Sequence, residues 1–279
     1  MSLLGNNFDI KAFSYVGGGC ISQTMRLQTT YGNLFLKYNN SVEPEFFSRE
    51  AECLRELKKN SAGKLVIPEV IAYGNVGEMP GFILIEFLEA GNTKGQDAKL
   101  GAGLAGLHQT KTDNQFGFTH DNYCGSTPQK NNWTDNWIDF FTNNRLLYLI
   151  SLIEARQSLP GRSAYDKLIT KLPDLLVTSS FPSLIHGDLW SGNYLYTING
   201  PALIDPASYY ADREMELSIM KMFGGFSAVT WDSYNEAFPL EYGWKNRVDI
   251  YQIYHYLNHF YLFGGSYGHQ ALRIAQRFV

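Results

Sequence analysis

The residues best suited to chemistry lie together at His186-Gly187-Asp188-Leu189-Trp190-Ser191-Gly192-Asn193, followed by Ala202-Leu203-Ile204-Asp205-Pro206-Ala207. The apolar pair Leu184-Ile185 delivers His-Gly-Asp to a tight turn, Asn193 comes five positions after Asp188, and a second apolar run ends at Asp205. Phosphoryl transfer from a nucleotide needs one carboxylate to orient the acceptor hydroxyl and take its proton. It also needs an Asn and a second carboxylate to hold magnesium on the phosphates. Asp188 is therefore the candidate base, with Asn193 and Asp205 the candidate metal ligands. Asn, Asp and Gly are also ordinary turn residues, so a hairpin that merely satisfies its own backbone competes with this reading. His and Trp are poor choices for such a turn, which favours the chemistry.

Elements upstream have to bring a nucleotide to these residues. Val16-Gly17-Gly18-Gly19-Cys20-Ile21 stands between two short alternating strands. Glycines let backbone N–H groups approach phosphates closely, although a Gly triplet also suits a plain hairpin tip. Asn33-Leu34-Phe35-Leu36-Lys37-Tyr38 reads as a strand with Lys37 among apolar neighbours. Residues 45–59 read as a helix by period, with Phe46, Phe47, Cys53, Leu54 and Leu57 on its apolar arc and Glu50 in the middle of that arc. A carboxylate on a buried helix face is costly unless a cation meets it, and Lys37 is the candidate. Such a strand Lys and helix Glu anchor nucleotide phosphates in kinases. Gly81-Phe82-Ile83-Leu84-Ile85-Glu86-Phe87-Leu88 is a buried strand. In a two-lobed kinase its end, Glu86, Phe87 and Leu88, would meet the adenine edge through the Glu86 carbonyl and the Leu88 N–H. A core strand leaving its sheet explains the same residues equally well.

From Asp97 onward the pattern turns helical. The small residues of 98–108 suit tight helix packing, and His108 reads as a core histidine. A helix is expected from Asn132-Trp133-Thr134-Asp135, with Trp137, Phe140, Phe141 and Leu146 as its apolar positions. Residues 183–206 read as the catalytic hairpin, and the tail from Met215 as helices with aromatic faces. The division falls near 88, giving a nucleotide-binding lobe, 1–88, and a catalytic and substrate-binding lobe, 89–279. The fold class is α+β.

The bulk numbers fit a globular enzyme. Of 279 residues, 44% are apolar and 15% aromatic, enough for a large core. A net charge of −4 and a pI near 5.9 argue against a non-specific nucleic-acid binder. No apolar stretch is long enough to span a bilayer, and no secretory signal is visible. Cys20, Cys53 and Cys124 are scattered without a C-x-x-C pair, which suggests neither disulfide framework nor zinc. A reduced cytoplasmic protein is expected. Cys20, at a glycine-loop tip, is a candidate redox site, either as a sulfenic acid or as a disulfide to a second copy in a homodimer. The alternative is an inert small residue in a monomer.

These motifs resemble the fructosamine kinase (ketosamine-3-kinase) family, within the aminoglycoside-phosphotransferase and choline-kinase branch of the kinase-like fold. The resemblance rests on the octet, on Ile204-Asp205-Pro206-Ala207, and on Phe116-Gly117-Phe118 with Asp121 to Gln129. It also rests on Trp133 and Trp137 and on the segment 257–265. It implies a small β-rich lobe with one main helix and a larger, mostly helical lobe. It implies ATP- and Mg2+-dependent phosphorylation of a sugar hydroxyl on ketosamines, free or on glycated protein lysines, as a deglycation step. By matching position it makes Asp188 the base, Asn193 and Asp205 the metal ligands, Lys37 and Glu50 the phosphate anchor, and Gly17, Gly18 and Gly19 the phosphate cover. Trp190 then lines the sugar pocket, or packs between lobes; His259 reaches the same pocket, or belongs to the core. Aminoglycoside or choline phosphorylation is the alternative activity. It would call for an acidic pocket, for which Asp232, Glu236 and Glu241 are the candidates. No D-F-G or A-P-E segment marks a protein kinase.

Overall fold

The computed structural model describes residues 8–17, 22–75, 81–110, 114–176 and 181–279. Gly18, Gly19 and Cys20 lie outside the described residues, so the expected phosphate cover is represented by Gly17 alone. The chain opens with β1 (Ile10–Tyr15), β2 (Gln23–Thr29) and β3 (Gly32–Asn39), then α1 (Phe46–Asn60), β4 (Val70–Gly74) and β5 (Gly81–Glu86). These strands form one antiparallel sheet in the order β1-β2-β3-β5-β4. The central pairing sets Lys37 opposite Ile83. Helix α1 buries Phe47, Ala51, Leu54 and Leu57 at helical spacing, and Lys58 and Lys59 close its last turn, where cations suit the helix dipole.

The remainder is mostly helical. It comprises α2 (Gln96–His108), the hairpin β6 (Asn122–Cys124) and β7 (Thr127–Gln129), then α3 (Trp137–Phe140). A π-helical stretch, Phe141–Leu147, joins α3 to α4 (Tyr148–Glu154). After α5 (Arg162–Leu175) come β8 (Ser183–Ile185), β9 (Tyr194–Thr197), β10 (Gly200–Leu203) and β11 (Tyr209–Ala211). Helices α6 (Arg213–Phe223), α7 (Ala228–Ala237), α8 (Trp244–Phe263) and α9 (Tyr267–Ala275) complete it. No helix among the described residues is long and apolar enough to cross a membrane.

Two expectations are corrected. The helix expected from Asn132 starts at Trp137, because the Asn136 side chain caps it, accepting from the N–H groups of Ile138 and Asp139. Thr134 instead bridges to Phe116 in extended backbone. Residues 183–206 are not one hairpin: β8 pairs with β11, and only β9 and β10 pair with each other. Asp188 therefore leaves one ribbon while Asn193 and Asp205 flank the other.

One apolar core runs from the sheet into the helical part, through Phe47, Leu54, Ile83, Ile85, Leu104, Leu189 and Leu203. Backbone bonds reinforce this junction: Val66 N donates to Pro201 O at 2.9 Å, and Leu203 N donates to Val66 O at 3.0 Å. The second core, built on Trp137, Phe140, Phe141, Tyr209 and Tyr251, takes in Ile185 of β8, whose neighbour Leu184 belongs to the first. Arg145, in the π-helical stretch, is fully buried beneath the Tyr209 ring at 3.9 Å and donates to Lys130 O at 2.6 Å.

Candidate active site

A cleft of about 350 Å³ gathers residues from both halves of the chain. Lys37, Glu50, Asp188, Trp190, Asn193, Asp205 and His259 all line it. Glu86, Phe87 and Leu88 are not among its lining residues. Glu86 ends β5, and Phe87 follows with its N–H 3.4 Å from Asn33 O and Arg26 over its ring at 4.4 Å.

Lys37 reaches the cleft from β3. Its Nζ is 2.6 Å from Glu50 Oε1 and also contacts the Asp205 carboxylate. Its side chain is 8% exposed, that of Glu50 12% and that of Asp205 42%. Burial alone would lower the Lys37 pKa, but Asp205 and Glu50 together raise it above the ordinary lysine range, so it stays charged. The cation thus joins α1 to the end of β10.

The segment from His186 to Asn193 is fixed through its backbone. His186 Nε2 donates to Ile204 O at 2.8 Å, which leaves Nδ1 to accept the Asp188 N–H at 3.3 Å. Burial lowers the His186 pKa, in keeping with a neutral ring carrying its proton on Nε2. This ring ties the Asp188 turn to the segment that leaves β10 towards Asp205. Glu216, buried in α6, accepts the N–H groups of His186 at 2.5 Å and Gly187 at 3.1 Å. Gly187 has φ +86°, and a Cβ there would come within 2.1 Å of Ala207 O, so the turn demands glycine.

Asp188 faces the cleft with Asn193 beside it. Asn193 Nδ2 donates to Asp188 O at 2.8 Å and to Asp188 Oδ2 at 3.2 Å. Burial, then the charges of Asp205 and Glu216, push the Asp188 carboxyl up to about 8. That value suits a group that takes a proton near neutral pH. Asp205 holds φ +57°, a left-handed conformation uncommon outside glycine and most tolerable for Asn and Asp. Strain of this kind persists where surrounding contacts impose it, and Lys37 is one of them.

Asn193 and Asp205 supply hard oxygen donors. With Nδ2 turned to Asp188, Asn193 keeps its Oδ1 for a cation. Among the described residues no three His, Cys, Asp or Glu side chains converge as a metal cage. One carboxylate and one amide oxygen suit magnesium, which takes its other ligands from phosphates and water.

The far wall is aromatic. Trp190 meets Phe223 edge-on at 6.3 Å, and His259 packs 4.9 Å from Phe223, 5.7 Å from Phe263 and 5.1 Å from Tyr267. A Cβ at Gly192 would lie 2.2 Å from the Trp190 ring, so glycine there permits the indole's position. His259 Nδ1 donates to His255 O at 2.9 Å, and burial lowers its pKa, which leaves Nε2 as an acceptor. Asp232, Glu236 and Glu241 are solvent-exposed and do not line the cleft. His108 is fully buried with Nδ1 2.8 Å from the Tyr234 hydroxyl, as a core histidine should be.

Sequence reading missed Glu216 and the Phe223–Tyr267 wall. The signal for Glu216 was available: a helix follows the capping Asp212 with an acid four residues on, close behind the catalytic segment.

A family profile described as fructosamine kinase matches residues 1–279. The chain belongs to the fructosamine kinase family. It is 38% identical to the chloroplastic protein-ribulosamine 3-kinase of Oryza sativa subsp. indica, over 99% of this chain and 81% of that one. It is 32% identical to the ketosamine-3-kinase of Mus musculus, over 95% and 94%. A crystal structure from Haemophilus somnus, assigned to the fructosamine-3-kinases, superimposes with a TM-score of 0.87 at 25% identity, covering 98% of this chain and 92% of that one. An aminoglycoside phosphotransferase in complex with AMP-PNP and hygromycin B reaches 0.65 at 15% identity, over 96% and 94%, a likeness of fold. This fructosamine kinase family member therefore has the α+β architecture of the phosphotransferase-type kinases, and it is a phosphotransferase.

Proposed function

We propose that this fructosamine kinase family member transfers the γ-phosphoryl group of ATP to a sugar hydroxyl of ketosamines. The observation that carries the proposal is the convergence, in one cleft, of the Lys37–Glu50 pair, the Asp188–Asn193 pair and Asp205 opposite an aromatic wall. In this reading the nucleotide-binding part spans 1–88 and the catalytic part 89–279. Lys37, held by Glu50, anchors phosphate oxygens, with Gly17, Gly18 and Gly19 covering them. The adenine meets the backbone around Glu86, Phe87 and Leu88. Magnesium bound with ATP supplies charge neutralisation at the phosphates, and Asn193 and Asp205 are the residues that would hold it.

Asp188 orients the acceptor hydroxyl and takes its proton. A raised carboxyl pKa gives it basicity near neutral pH. Trp190 covers the apolar face of the sugar, and His259 Nε2 accepts from one of its hydroxyls. The ketosamine assignment is supported by the likeness to the rice protein-ribulosamine 3-kinase and the mouse ketosamine-3-kinase. The polycationic alternative lacks support, because among the described residues the carboxylates lining the cleft are Glu50, Asp188 and Asp205. A deglycation role, on free adducts or on glycated lysines, follows from the same activity, and its proposed place is the cytoplasm.

The test is a panel of acceptors with ATP and magnesium: free fructosamine and ribulosamine, a glycated protein, aminoglycosides and choline. ATP turnover with the ketosamines alone supports the reading. Turnover with only an aminoglycoside or choline would replace it.

A further inference from the structure

Asn258 stands on α8 one position before His259, in the wall of the cleft, and is 3% exposed. Its Nδ2 donates to Cys124 Sγ at 3.3 Å. Its Oδ1 is buried and has no hydrogen-bond partner among the described residues. A buried carbonyl without a partner destabilises a protein, and a Leu of similar volume would fill the space without that cost.

The amides nearest Asn258 are paired. Asn122 Nδ2 donates to Ser208 O at 2.8 Å, Gln129 Nε2 to Asn122 Oδ1 at 3.0 Å, and the Tyr254 hydroxyl to Gln129 Oε1 at 2.8 Å. Thr127 Oγ1, across the β6–β7 hairpin from Cys124, and the Tyr209 hydroxyl also lack partners, but among the described residues lining the cleft only Asn258 has such a buried, unpaired side-chain atom. Cys124, from β6, also lines the cleft. Burial, with the charge of Asp188 next, pushes its thiol well above the ordinary range, so the sulfur is a neutral, weak acceptor. It turns the amide without occupying the carbonyl.

We infer that Asn258 is a specificity-determining residue of the acceptor subsite, its Oδ1, oriented by Cys124, accepting a hydrogen bond from an O–H or N–H donor of the bound substrate. This rests on the reading of the cleft as a ketosamine-phosphorylating site. A ketosamine offers two donors of that chemistry, its sugar hydroxyls and the protonated secondary amine on C1. The aromatic wall selects for shape, whereas a buried acceptor selects for polarity. A site built to hydrogen-bond its substrate strongly rejects analogues that lack the donor.

The experiment compares the full-length wild type with Asn258→Leu and Asn258→Asp, using ATP with an N-alkyl fructosamine and with fructose, which lacks the amine. Asn258→Leu should raise the ketosamine KM by about tenfold or more, with kcat and the ATP KM within about threefold. Its thermal midpoint should be no lower than that of the wild type. Asn258→Asp keeps an acceptor of the same shape and should recover most of the lost affinity. If the Leu variant raises the KM for fructose equally, a hydroxyl is the donor; if it leaves that KM unchanged, the amine is. An unchanged ketosamine KM in Asn258→Leu overturns the inference, as does a matching rise in the ATP KM or no recovery in Asn258→Asp. Should Asn258→Leu fail to fold, Cys124→Ala decides: it must raise the ketosamine KM alone, and a wild-type KM there overturns the inference. A wild type inactive on ketosamines would instead refute the underlying activity.

Discussion

Lys37 Nζ lies 2.6 Å from Glu50 Oε1 and at the same time contacts Asp205, so one buried cation links helix α1 to the segment that follows β10. With Lys37 as the proposed phosphate anchor and Asp205 as the proposed metal ligand, a group shared in this way would couple nucleotide binding to the position of the metal site. Lys37→Met and Glu50→Ala should each weaken ATP binding, and the double variant should lose less than the sum. Residues in one such network show interaction energies of about 0.5–3 kcal/mol in double-mutant cycles. Nucleotide titrations of the four proteins check this, and strictly additive losses would mean that the pair does not act together.

The Asp188 carboxyl stands at about 8 in the folded protein against 3.8 for an ordinary aspartate. Between these values the folded state binds a proton that the unfolded chain has released. Stability from this group is therefore complete at low pH and declines as pH rises towards 8. Asp188→Asn removes the titration. The variant's thermal midpoint should gain on that of the ligand-free wild type as pH goes from 5 to 8. A difference independent of pH would show that Asp188 is not perturbed.

Much of this site was legible in the sequence, for definite reasons. The period of residues 45–59 put Glu50 on a buried face, and burial of a carboxylate demanded a cation, which Lys37 supplies. The spacing of Asp188, Asn193 and Asp205 gave the polar side of the cleft. The pairing of β8 with β11 was not legible, because the long-range partner of a three-residue strand leaves no local signal. Nor was the left-handed backbone at Asp205, which tertiary contacts impose. Of the aromatic wall, Trp190 and His259 were named, but Phe223 and Tyr267 escaped because they come from two further helices whose apolar residues look like core.

Asp205→Asn and Asn193→Ala should both raise the magnesium concentration needed for half-maximal rate, Asp205→Asn more severely. A charged oxygen ligand is harder to replace than a neutral amide. Asn at position 205 is chosen because it tolerates the left-handed φ of +57°. A magnesium titration unchanged in Asp205→Asn would remove this residue from the metal site.

Trp190→Ala should raise the ketosamine KM and leave the ATP KM near wild type, since the indole stands on the aromatic wall beside Phe223. Gly192→Ala should act in the same direction, because its Cβ would displace the ring from which it stands 2.2 Å. Steady-state kinetics with each substrate varied in turn check both. A rise in the ATP KM alone would assign Trp190 to packing.

The most direct test of the account is product analysis of a ketosamine incubated with ATP, magnesium and either wild type or Asp188→Asn. The account predicts a phosphoester on a sugar hydroxyl from the wild type. In the variant turnover should fall by about 10²–10⁴-fold, while ATP binding stays close to wild type. No phosphorylated ketosamine from the wild type, or an Asp188→Asn variant keeping more than about a tenth of the turnover, would contradict it.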